Sequence, residues 1–239
     1  MRRKLKVDEN GRCYYQLDEA LWPLVTNFRG ERAYSCSVQT EIDMTEADDF
    51  RKKVEKESGT HVSFNSLIVK AVANALEDFP ILSGMRTERL DRIICSDPKE
   101  IRTVLPIQLG DTVYALVIEK ANQKRLIDLS KELNEQIKLA KEGSPTELHH
   151  WNKPMFCISN VGTIGHVDSC FGQMGGNLTS GLVICNISKK PAVKGDEIVI
   201  RKMMNAILCW DHFAMMANTP IEFLNELKKR LEAPDTWLV

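Results

Sequence analysis

The sequence predicts an α/β fold: one domain with a mixed sheet and helices packed on it. Three observations predict it. Residues 35–43 alternate as a half-buried strand does, residues 64–76 carry an apolar stripe at helical spacing, and the chain after residue 155 is strand-rich up to a well-signalled final helix. Length alone does not decide between one domain and two lobes.

The elements follow in order. Cys36, Val38, Thr40 and Ile42 face one way, and Ser37, Gln39 and Glu41 the other. Thr45 opens a helix, with Asp48 three residues on in the manner of a capping box, and Ser58-Gly59 suits its stop. Ser63 is the expected N-cap of a second helix. Phe64, Leu67, Ile68, Ala71, Val72, Ala75 and Leu76 form its core face, Asn65, Ser66, Lys70 and Asn74 a wetter one, and Pro80 marks its end. Strands and turns fill 90–120, including Val113 to Ile118. A third helix spans about Arg125 to Lys141, with Leu126, Leu129, Leu133, Ile137 and Ala140 on one stripe, closed by Gly143-Ser144-Pro145. Strands are expected at Phe156–Ser159, Leu182–Ile187, Glu197–Arg201 and Asn205–Trp210. A loop containing Gly162, Gly165, Gly172, Gly175 and Gly176 separates the first two. In the last helix Thr219 is the expected N-cap, Pro220 follows it, and Glu222 completes a capping box; Ile221, Leu224, Leu227 and Leu231 form the stripe.

Composition excludes several classes. The 239 residues are 43% hydrophobic, and 32 basic against 33 acidic side chains leave a net charge of −1, so neither nucleic acid nor an anionic membrane is an expected partner. No apolar run approaches the ~20 residues of a membrane span. Met1-Arg2-Arg3-Lys4 is basic, but no apolar segment follows, so no secretory signal is expected. Cys13, Cys36, Cys95, Cys157, Cys170, Cys185 and Cys209 are seven irregularly spaced thiols, best read as reduced in a cytoplasmic protein. No Cys-x-x-Cys and no His-Glu-x-x-His occurs, so no metal site is expected. A Gly-x-Ser-x-Gly elbow and phosphate-binding glycine loops are absent too.

Five histidines remain. His149 and His150 fall in a polar loop, and His61 and His166 lie near turns without partners at ligand spacing. His212 differs: it follows a strand and Asp211, shortly before the last helix, where a titratable imidazole easily joins a site. Ser159 also ends a strand, with Asn160 and Gly162 after it. Alone, each is an ordinary structural residue as readily as a functional one.

Four ordered stretches resemble the catalytic domain of the 2-oxo acid dehydrogenase acyltransferases. They are Ser63 to Ala73, similar to the family's Ser-Phe-Asn-Ala-Leu-Ile-Val-Lys-Ala; Phe156 to Gly162, similar to Phe-Thr-Ile-Ser-Asn-Leu-Gly; Glu197 to Met204; and Trp210-Asp211-His212, matching the start of Asp-His-Arg-x-x-Asp-Gly. The resemblance implies an N-terminal extension over 1–33 and an acyltransferase domain over 34–239. It implies a two-layer, chloramphenicol acetyltransferase-like fold in a homotrimer. It also implies acyl transfer between coenzyme A and a dihydrolipoyl-type thiol or another acceptor, without a metal. His212 matches the general base and Ser159 the oxyanion donor, contributed by neighbouring chains, and Asn160, Gly162 and Trp210 beside them are the expected substrate-binding residues. About 30 residues precede the match, so a separate lipoyl or acyl-carrier protein is the expected partner. Trp237-Leu238-Val239 is either a tail packed on its own subunit or, by the family parallel, a knob that joins trimers into a cage.

Two departures matter. Phe213 stands for the motif's arginine, and Met216-Ala217 for its Asp-Gly, so support for the histidine is altered. The alternative function is therefore a catalytically degenerate relative serving as a trimeric or cage-forming scaffold. A third is a regulator that binds coenzyme A or an acyl carrier without turnover.

Overall fold

The computed structural model describes residues 4–16, 35–87, 91–110, 112–142, 153–172 and 177–238. Ten strands are β1 (Lys6–Val7), β2 (Cys13–Gln16), β3 (Ser35–Asp43), β4 (Gly84–Arg86), β5 (Arg92–Cys95), β6 (Thr103–Leu109), β7 (Thr112–Ile118), β8 (Phe156–Asn160), β9 (Ser180–Lys194) and β10 (Glu197–Asp211). The four α-helices among the described residues are α1 (Thr45–Ser58), α2 (Phe64–Leu76), α3 (Leu126–Lys141) and α4 (Asn218–Glu232).

Six strands form the main sheet in the order β3-β10-β9-β8-β6-β7. β8 runs parallel to both β6 and β9, and the other pairings are antiparallel, so the sheet is mixed. One of its faces carries Ile42, Leu105, Leu116, Phe156, Ile158, Leu182, Leu208 and Trp210, which share a core with the apolar stripes of all four helices. The fold is therefore a two-layer sandwich. A smaller sheet, β1-β2-β5-β4, draws in residues 6–16 of the region before the expected domain start. The other face of the main sheet carries two smaller clusters, one around Val183, Cys185, Ile207 and Cys209.

Local chemistry explains most boundaries. Ser63 caps α2 by accepting from Ser66 N at 3.0 Å. Gly59, at φ 67°, ends α1, where its N–H donates to Glu55 O at 2.9 Å.

Several expectations change. Thr45 and Asp48 form no capping box: Asp43 Oδ1 accepts from Thr45 N at 3.0 Å, and the Thr45 hydroxyl accepts from Lys202 N at 2.9 Å. The wet face of α2 is mostly dry. Ser66 and Lys70 are buried, the first bonded to Ser63 and the second donating from Nζ to Asn122 O at 2.6 Å, so each carries its partner inside. The two strands expected over 197–210 are one. Its register against β9 shifts between Met204 and Ala206, where Cys185 and Asn186 of the bulged β9 oppose Asn205 alone, and Asn205 Nδ2 donates to Asp168 O at 2.7 Å. β9 likewise runs past Ile187 to Lys194, and Pro191 is tolerated there because β8 pairs only with residues 181–184. α4 begins at Asn218 rather than after Thr219, with no side-chain cap, and Phe223 replaces the exposed Ile221 on its buried stripe. Gly143-Ser144-Pro145, Gly175 and Gly176 lie outside the described residues. All seven cysteines are free.

Candidate active site

β10 ends at Asp211, and a turn from His212 leads to α4. The turn is tied at its first residue. Asp211 O accepts from Ala214 N at 3.0 Å, and Asp211 Oδ1 accepts from Phe213 N at 3.0 Å. Trp210, 5% exposed, supports it from the core: its indole N–H donates to Met215 O at 3.2 Å, and its ring centroid lies 6.4 Å from that of His212. The His212 imidazole is left half-buried at the sheet's end. Burial pushes the Asp211 carboxyl above the usual carboxylate range, with the Arg86 guanidinium opposing it.

Ser159 is half-buried near the end of β8, level with Val183 and Ile207 across the sheet. It shares the sheet face that carries them, opposite the helices. Asn160 points the other way: its Nδ2 donates to Asn65 Oδ1 on α2 at 2.6 Å, and its own Oδ1 is buried with no hydrogen-bond partner among the described residues. Gly162 sits in the 3-10 turn Val161–Thr163, pressed onto β9. A Cβ there would stand 2.4 Å from Asn186 N and 2.5 Å from Cys185 C, backbone atoms that cannot swing away. Packing thus accounts for this glycine. Gly162→Ala is expected to cost about 1–3 kcal/mol, read as a lowered urea midpoint at unchanged slope.

The structure does not bring Ser159 and His212 together within one chain. Ser159 is two strands from β10 and level with Ile207, five residues before His212. Strand spacing and rise place the two roughly 20 Å apart. Of the expected site residues, Trp210 and His212 adjoin at one end, and Ser159, Asn160 and Gly162 cluster at another. A cavity of about 230 Å³, lined among others by Tyr15, Asp78, Met215, Met216 and Glu222, abuts the His212 turn from below. His61 pairs with Glu55 and His166 with Asn186 at the surface, 3.2 Å in each case, and His149 and His150 lie outside the described residues. Asp211, Arg86 and Thr179 also adjoin the candidate site and are not among the residues expected from the sequence. For Asp211 the signal was its place beside the histidine; Arg86 and Thr179 had none, because only the folded sheet brings them near.

A family model for the 2-oxoacid dehydrogenases acyltransferase (catalytic domain) matches residues 31–239. The dihydrolipoyllysine-residue acetyltransferase component of the pyruvate dehydrogenase complex of Rickettsia felis is 29% identical over 213 residues, 85% of this chain and 48% of its own length. The chain thus spans about half the length of the curated relatives it matches. Among solved structures, the cubic core of the pyruvate dehydrogenase multienzyme complex aligns with a TM-score of 0.77 at 21% identity, over 92% of this chain and 91% of that one. Chloramphenicol acetyltransferase aligns with a TM-score of 0.58 at 13% identity, over 95% and 100%, which bears out the expected fold.

Proposed function

The chain belongs to the 2-oxoacid dehydrogenase acyltransferase catalytic-domain family, and we propose that it moves an acyl group between coenzyme A and a second thiol of dihydrolipoyl type, with His212 as general base. The observation that carries this reading is the half-buried imidazole held at the end of β10 on a turn fastened through Asp211. An imidazole there can take the proton of an incoming thiol. The sulfur then attacks the thioester carbonyl, forming the new C–S bond as the carbonyl oxygen becomes an oxyanion. The Ser159 hydroxyl donates a hydrogen bond to that oxyanion. Collapse breaks the old C–S bond, and the imidazolium returns its proton to the departing thiolate.

The separation of roughly 20 Å between Ser159 and His212 requires two copies to build one such site. A homotrimer closed by rotation supplies it. The tip of the β9–β10 hairpin, which extends beyond β3, supports association. Ile198 pairs with Val193 and Ile200 follows on the same face, and all three are strongly exposed. Trp237 rests on its own chain, its indole donating to Arg230 O at 2.8 Å, and Leu238 packs against the core, whereas Val239 lies outside the described residues. A larger cage through Trp237, Leu238 and Val239 would keep this seat and add contacts between trimers; deletion of 237–239 would then leave trimers. The seven free cysteines favour a cytoplasmic setting.

One observation favours the scaffold reading. Met216, at the position of the motif's aspartate, is 41% exposed and can form no ionic support for His212. The deciding experiment is thiol release from acetyl-coenzyme A with dihydrolipoamide and a panel of thiol and hydroxyl acceptors, comparing native protein with His212→Ala. Acceptor-dependent release by the native chain, lost in the variant, supports the enzyme. Equal background rates across the panel overturn it in favour of the scaffold.

A further inference from the structure

Asp211 is where the end of β10, the start of β9 and β4 converge. Its N–H donates to Thr179 O at 2.8 Å, and Thr179 N donates to Gly84 O at 2.9 Å. Arg86 N donates to Asn177 O at 2.8 Å, which fixes the strand that carries the guanidinium. Arg86 Nε then lies 2.8 Å from Asp211 Oδ2, with the two side chains 8% and 2% exposed. The other carboxylate oxygen, Oδ1, holds Phe213 N. One buried carboxylate, at the end of the strand before His212, therefore pairs with the guanidinium on β4 and holds the amide after the histidine. The bond from Phe213 N to the carboxylate is directional, and an ion pair shielded from water is held strongly, so such a residue transmits orientation to its neighbour. Below the turn the support is of another kind: Met215 is buried among apolar groups and Met216 faces solvent.

We propose that Arg86 and Asp211 are the positioning pair for His212, aligning the imidazole from the strand side where Met216 and Ala217 leave the helix side without polar support. The kinetic part of this inference rests on the acyltransferase reading; the geometric part does not. Among the described residues, the charged groups around the turn include Asp211 itself, Arg86 on β4, and Asp78 and Glu222, which line the cavity under Ala214 to Met216. Asp211 is the nearest anion in sequence, and its charge interacts with that of His212.

Three variants test the pair: Asp211→Asn, Arg86→Met and Arg86→Lys. Each is measured for kcat and KM with acetyl-coenzyme A and dihydrolipoamide across pH, and for hydrogen exchange of the Phe213, Ala214 and Met215 amides. Asp211→Asn is expected to lower kcat about 10²-fold with KM for acetyl-coenzyme A within about twofold of native. The acid limb of its kcat/KM profile should move to lower pH, because an anion beside the imidazolium is gone. Arg86→Lys, which keeps a compensating charge, should retain more kcat than Arg86→Met. A role in folding alone would move neither the acid limb nor kcat at constant KM. A folded Asp211→Asn protein with native kcat and an unmoved acid limb overturns the proposal. If Asp211→Asn does not fold, Arg86→Lys decides by the same kcat-against-KM comparison. Should native protein and His212→Ala be equally inactive, the acyltransferase reading fails. The exchange of the three turn amides then decides the pair, faster in the Arg86 variants if it positions the turn and unchanged if it does not.

Discussion

His212→Ala is expected to lower acyl transfer from acetyl-coenzyme A by about 10²–10⁴-fold, almost entirely in kcat. A methyl group cannot accept the thiol proton, and the adjacent Asp211 carboxylate is engaged with Arg86 and with Phe213 N. The fold should not suffer. The imidazole is half-buried, and the bonds that tie the turn belong to Asp211 and Trp210. Ser159→Ala is expected to lose about 10²–10³-fold, the usual cost of one oxyanion donor. Steady-state kinetics on folded variants of native size give both numbers, and a loss confined to KM would contradict the assigned roles.

Mixing the two variants makes the test sharper. Ser159 lies on β8 and His212 just past the end of β10, with β9 between those strands and the two residues at different levels along the sheet, so neither can complete the other within one chain. Ser159→Ala and His212→Ala chains, refolded together, should therefore form some sites with an intact serine from one copy and an intact histidine from the next. Random assortment in a closed ring gives ~one quarter of native activity. Co-assembled rings of native size without recovery would show that the two residues do not share a site.

What could be read from the sequence was what depends on near neighbours. The alternation of β3, the Ser63 cap of α2 and the glycine end of α1 are each set within a few residues, and the structure reproduces them. The continuity of β10 was hidden because Lys202, a charged residue in mid-strand, reads as a break; in the fold its ammonium reaches out to Asp48 on α1. The dryness of the polar face of α2 was hidden because the partner of Lys70 is a carbonyl on a loop distant in sequence. In the candidate site, His212 and Ser159 are singled out by ordered motifs, and their roles are the proposal tested above. Arg86 is not singled out, since its meaning depends on a short strand held beside the end of β10 by Thr179. Long-range partners that neutralise buried charge leave no periodicity, and they are what the sequence concealed.

The same physics makes Asp48→Ala the largest expected loss of stability. Asp48 is buried in the first turn of α1, where a negative charge also suits the helix terminus. Burial alone would raise its carboxyl, but ion pairs with Lys202, Lys52 and Arg51 outweigh that and hold it down at about 2. Lys52 Nζ stands at 2.8 Å and Arg51 at 2.5 Å, and Lys202 bridges to β10. Removing the carboxylate leaves three cations converging on one helix turn. A fully buried pair broken this way costs about 3–5 kcal/mol; Lys52 is 57% exposed and sheds part of the strain into water, so about 2–4 kcal/mol is expected. The pH dependence has a fixed sign. A carboxyl depressed in the fold contributes its full stability above the ordinary carboxylate value, near pH 4, and loses it as pH falls toward about 2. Urea midpoints of the native protein should fall through that window, and those of Asp48→Asn should fall less. Lys202→Met should cost less in the Asp48→Ala background than in the native one, because the cation it removes has already lost its partner. Parallel pH curves for native and Asp48→Asn, together with additive costs in the double variant, would contradict this account of how α1 is fastened to β10.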